Sequence, residues 1–143
     1  MMPSSIGFQR TAVEKADATF QIKKAEEITF SEVFGGPKLT KGSFVLTYQG
    51  DLRGEGILEE LKVHFTEKRA EIYGLQRITG QLGDLSGSFV LKHTGRFANG
   101  VVTTKQTVVP GSATGGLKGL RGEIKFKTGP AKEFPITFHY HFA

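Results

Sequence analysis

Apolar side chains recur at every second position along most of this chain, the period expected of strands with one dry face. The alternation runs through Ala18-Phe20-Ile22, Phe44-Leu46-Tyr48, Ile57-Leu61-Val63-Phe65, Ile72-Ile78, Phe89-Leu91-His93, Val102-Val108, Ile124-Phe126 and Phe134-Ile136-Phe138-Tyr140-Phe142, which predicts eight strands. Turn chemistry separates them at Gly35-Gly36-Pro37, Glu67-Lys68-Arg69, Gly83-Asp84, Asn99-Gly100, Pro110 to Gly116 and Gly129-Pro130. Connections this short favour antiparallel hairpins over βαβ crossovers. A helical turn or a loop fits Ala25 to Val33, where Glu26, Glu27 and Glu32 surround Ile28 and Phe30.

Sequential strands that each have one apolar face lose their unpaired edges by closing on themselves, so the expected fold is all-β, an eight-stranded antiparallel β-barrel in a single domain. Residues 1–13 lack periodicity and read as an N-terminal arm or tail, leaving 14–143 for the barrel. Several glycines, Gly54, Gly56, Gly74, Gly80 and Gly122, fall in or beside strands, where a tightly bent sheet favours a residue without Cβ.

One internal echo locates a pair of polar side chains. Gly42-Ser43-Phe44-Val45-Leu46-Thr47-Tyr48-Gln49-Gly50 recurs as Gly87-Ser88-Phe89-Val90-Leu91-Lys92-His93-Thr94-Gly95, which sets Tyr48 and His93 at equivalent positions, each in line with a Phe and a Leu. Both tips are expected inside. On the strand that begins at Ile57, the alternation through Leu61, Val63 and Phe65 predicts that Glu59 also points inward, where an ionised carboxylate must find a partner or hold its proton. The next strand offers Gln76 or Arg77, depending on register at Gly74, and the pattern Ile72-Gly74-Gln76-Ile78 favours Gln76 inside.

The predicted site therefore gathers Tyr48, Glu59, Gln76 and His93, with Tyr140 on the last apolar face as a further ligand contact. A carboxylate, an imidazole, a phenol and an amide in a dry barrel suit orientation of a small ligand, or proton transfer with Glu59 or His93 as catalytic residue. Polar side chains that merely satisfy one another would look the same in sequence.

Composition narrows the chemistry. The chain has no Cys, so disulfides, thiolate nucleophiles and cysteine-ligated metals are excluded. His139 and His141 share a strand face but alternate against Phe138, Tyr140 and Phe142, so they point to solvent, and no metal or other cofactor is expected. The glycine-rich stretch Pro110 to Lys118 lacks the order of a phosphate-binding loop, and no Ser sits in a nucleophile elbow. No basic start precedes an apolar run, and no apolar stretch is long enough to span a bilayer, so a cytoplasmic protein without a membrane partner is expected. Residues 1–71 hold 10 Lys and Arg against 11 Asp and Glu, and residues 72–143 hold 9 against 3, so the halves carry −1 and +6. The excess base alternates with apolar residues as a wet strand face does, and the aromatics lie on the inner face, so no nucleic-acid partner is expected. A small apolar molecule remains as partner, and a homo-oligomer is compatible with such a barrel.

The segments Gly35-Gly36-Pro37-Lys38-Leu39-Thr40, Tyr73-Gly74-Leu75-Gln76-Arg77-Ile78-Thr79-Gly80, Gly83-Asp84-Leu85-Ser86-Gly87-Ser88-Phe89-Val90-Leu91-Lys92-His93-Thr94-Gly95 and Val108 to Gly122 resemble a bacterial family of uncharacterised small proteins. That resemblance implies a barrel similar to those of plant allene oxide cyclases, with long antiparallel strands around a cavity. Glu59 and His93 match residue types usual in the family, whereas Gln76 stands where Glu is usual and Gln106 where Trp is usual. The family brings no reaction with it. Three readings follow: a binder of a small apolar ligand, an isomerase- or cyclase-like enzyme working through Glu59 or His93, and a structural or oligomeric interaction protein.

Overall fold

A computed structural model describes residues 13–143; the expected arm at 1–13 falls, apart from Val13, outside the described residues. The strands are β1 (Glu14–Ser31), β2 (Lys38–Gly50), β3 (Leu52–Thr66), β4 (Arg69–Leu82), β5 (Leu85–Ala98), β6 (Val101–Val108), β7 (Leu120–Thr128) and β8 (Phe134–Phe142). Each pairs antiparallel with its chain neighbours, and β8 pairs with β1 to close the barrel. The turns behave as their residues dictate: Asn99 and Gly100 both take positive φ between the paired ends Ala98 and Val101, the geometry of a two-residue hairpin.

The expected helical turn or loop at Ala25 to Val33 is instead the continuation of β1. Ala25 to Ser31 pairs with β2 from Phe44 back to Leu39, and these cross-strand bonds outweigh the local preference of the glutamates. Two bulges, between Ile22 and Lys24 and between Thr29 and Ser31, shift the register of this half.

The two ends of the barrel differ. At the end holding the turns after β2 and β4, the interior is filled by Leu52, Ile78, Leu82, Phe89, Leu91, Leu117, Leu120, Ile124 and Phe138, all nearly inaccessible. Phe89 and Phe138 stack there with centroids 5.7 Å apart. The loop after β6 closes this end. It carries a 3-10 turn at Gly115–Leu117, buries Leu117 and runs along the part of β5 that β6 does not reach. Its bonds to β5 include Val109 N–H to Val90 O (2.9 Å) and Thr114 N–H to Ser88 O (2.8 Å), and the Ser112 and Thr114 hydroxyls accept from Val90 N–H (3.0 Å) and Ser88 N–H (3.1 Å). Glycine-rich Pro110 to Lys118 is thus a lid on the core.

Candidate functional site

The opposite half of the barrel is hollow. A cavity of about 330 Å³, within the range of small-ligand pockets, is walled by Phe20, Leu46, Leu58, Phe126 and Phe134 and reaches rim residues Phe97, Gly100, Val102 and Pro130. Phe20 stacks on Phe134 at 4.8 Å and tilts against Phe126 and Tyr48 at 5.4 and 5.5 Å, so one cluster of rings forms a continuous wall. A larger depression lies on the outer surface of β1, β7 and β8 among Asp17, Glu123, Lys125, Lys127 and His139, and it contains none of the inward polar groups.

A chain of three buried polar side chains crosses the cavity wall. The Gln76 amide nitrogen donates to the Tyr48 hydroxyl at 2.7 Å, and the Gln76 carbonyl faces His93 Nε2 at 2.9 Å. A carbonyl only accepts, so Nε2 carries the imidazole hydrogen in this arrangement. All three residues are buried. Burial holds the His93 imidazole down to about 4, so it is neutral at pH 7, and pushes the Tyr48 phenol well above its ordinary range, so it keeps its proton. Gly56 makes room for this chain, since a Cβ there would collide with the Gln76 amide nitrogen.

The sequence expectations divide here. Tyr48, Gln76 and His93 face the interior and meet, and Gln76 rather than Arg77 is inside. Glu59 does not join them. It sits on the outer wall, about half exposed, accepts a hydrogen bond from Ser43 at 3.0 Å and pairs with Lys41 at 3.4 Å. The whole of β3 has the opposite parity to that expected: Leu52, Gly56 and Leu58 face in, while Ile57, Leu61 and Phe65 are exposed. The alternation misleads because the inner face has glycine where room is needed and polar residues at the rim, leaving the larger apolar side chains outside. Tyr140 is also displaced from its expected role. It faces inward near the filled end, stacked on Phe138 at 5.3 Å and edge-on to Phe142, and does not line the cavity.

The carboxylate that does face the cavity is Glu60. Burial raises its proton affinity, opposed by Lys62 and reinforced by Glu27. Lys62, also at the rim, donates to Glu27 at 2.8 Å and lies 3.8 Å from Glu60, while His64 bonds Thr40 at 2.9 Å. The rim thus has two carboxylates around one ammonium. Sequence reasoning passed over Glu60 and Lys62 through the same parity inversion; their signal was the run of small residues at Gly54 and Gly56 that shares their face. Among the described residues no group of three or more His, Asp or Glu has the geometry to hold a metal ion, and no helix is long and apolar enough to cross a membrane.

The fold is a closed eight-stranded antiparallel β-barrel in a single domain, hollow at one end, and the sequence assigns it to a family. Residues 16–140 match the family model described as protein of unknown function, DUF3224, and the chain belongs to that family. It is similar to a solved DUF3224 protein of unknown function from Shewanella oneidensis MR-1, with 23% identity and a TM-score of 0.74 over 92% of this chain and 99% of the other. At that identity the likeness carries the fold. No protein of curated function matches the chain.

Proposed function

We propose that this barrel binds a compact, mostly apolar molecule that carries one hydrogen-bond acceptor. The supporting observation is the Tyr48-Gln76-His93 chain on an aromatic-walled cavity. Tyr48 accepts from Gln76, and its own O–H finds no protein acceptor among the described residues. Inverting the Gln76 amide would satisfy that O–H and turn the free hydrogen over to His93 Nδ1. In both arrangements the chain keeps a donor beyond the Gln76 amide's spare N–H, and a buried donor without a partner costs about 1–3 kcal/mol. A ligand carbonyl or ether oxygen would satisfy it. The rim argues against an anionic ligand, because Lys62 is already engaged by Glu27 and Glu60.

Burying about 200 Å² of ligand apolar surface at about 25 cal/mol/Å² provides roughly 5 kcal/mol before association costs, which sets a weak affinity for a ligand of this size. The test is an NMR titration with cyclohexanone, cyclohexane and hexanoate. Saturable shifts at Tyr48, His93 and Phe126, strongest for the ketone and lost for the carboxylate, support the reading; absence of shifts at these residues with all three refutes it. A proton-transfer enzyme in the same cavity is the second reading, favoured by the raised proton affinity of Glu60. It predicts a turned-over carbonyl substrate whose conversion is lost in Glu60→Gln and kept in Glu59→Gln.

A further inference from the structure

Among the described residues, two of the strand edges that run past their neighbours, the start of β5 and the far half of β1, differ in what covers them. The start of β5, beyond the reach of β6, is bonded by the loop after Val108. On β1, pairing with β8 ends at Phe20, and from Lys24 to Ser31 the far edge has no strand partner among the described residues. A long edge of free N–H and C=O groups is a template for pairing with another chain. This one is also apolar in part: Ile28 and Phe30 are 52% and 53% exposed, and Phe34 at the hairpin tip is fully so.

The charges on this edge read as an inverted repeat, Lys23-Lys24-Ala25-Glu26-Glu27. Two copies laid antiparallel about a two-fold axis at Ala25 set Lys24 of each opposite Glu26 of the other, and bring Lys23 to the level of Glu27. An axis at Glu26 or at Lys24 would instead oppose like charges, which cross-strand pairing penalises. We infer that a second copy of this chain occupies the β1 edge, in antiparallel register centred on Ala25, giving an isologous dimer with a sheet continuous across the interface. Continued along both strands, that register runs the Ile28 end of one hairpin beside the partner's strand where the bulge at Lys23 follows Ile22. In each copy Ile22 lines the cavity, so the apolar hairpin end lies along the side of the neighbouring cavity.

Sedimentation velocity on the full chain across a wide concentration range tests this with a charge swap. Lys24 and Glu26 are exposed, so the substitutions leave the fold intact, which circular dichroism verifies. The wild type should dimerise, Lys24→Glu should weaken the dimer by at least about tenfold, and the double variant Lys24→Glu/Glu26→Lys should restore it. A wild type that stays monomeric overturns the inference, and protection of the residue 24–30 amides from exchange in that monomer would assign the edge to residues 1–12. A dimer indifferent to Lys24→Glu, or one that the second substitution does not rescue, overturns it equally.

Discussion

Acidification should destabilise this protein through one imidazole. His93 is buried and neutral in the folded chain, protonating only near pH 4, whereas in the unfolded chain it protonates near 6.5. Between those values the unfolded state binds a proton that the native state refuses, so stability falls as pH drops through the window and levels off below it. By pH 4.5 the difference in proton binding amounts to about 2.5 kcal/mol, a large share of the stability of a domain this size. Glu60 works in the opposite sense, because burial raises its proton affinity in the folded state and acidification relieves that cost. Urea unfolding of the wild type and of His93→Gln from about pH 7.5 to 4.5 isolates the imidazole, since Glu60 and every surface carboxylate are common to both. The variant keeps an amide that can bond Gln76 but cannot titrate. The wild type should lose about 2.5 kcal/mol more than the variant across this range. Parallel pH profiles would refute the reasoning, because they would mean that His93 is wet and the cavity wall is not as described.

Three further substitutions probe the same wall and its outer face. Tyr48→Phe removes the acceptor of the Gln76 amide hydrogen without changing the ring packing on Phe20, and should cost about 1–2 kcal/mol in denaturant unfolding. Gly56→Ala should cost about 1–3 kcal/mol and move the Gln76 side-chain amide resonances, because the new methyl occupies the space of that amide. Glu59→Gln should change stability by less than about 0.5 kcal/mol and leave ligand titrations unaltered, as befits a half-exposed residue paired only with Lys41 and Ser43.

Strand identity was legible because it rests on period alone, and the barrel followed from eight short-linked strands. Tyr48 and His93 were legible through the echoed nonapeptide, and Gln76 through its place between Ile72 and Ile78, residues that pack fully. Parity on β3 was not. There the outer positions Ile57 and Leu61 are about half exposed, while the inner ones include Gly56, Glu60 and Lys62, so hydrophobicity points away from the core. The hollow itself has no one-dimensional signal, since it arises from glycine on β3 facing an amide on β4 and from phenylalanines on β1, β7 and β8 that leave space between them. The extension of β1 was hidden by its glutamates, whose pairing with β2 only the register reveals.

A crystal soaked in 4-bromocyclohexanone tests the ligand-binding cavity most directly, because the bromine is located by its anomalous signal and the carbonyl by its contact. Bromine density among Phe20, Phe126 and Phe134, with the ketone oxygen in hydrogen-bonding distance of Tyr48 or His93, is the predicted result. A barrel interior collapsed around Gln76, with bromine bound only on the outer wall, would contradict it.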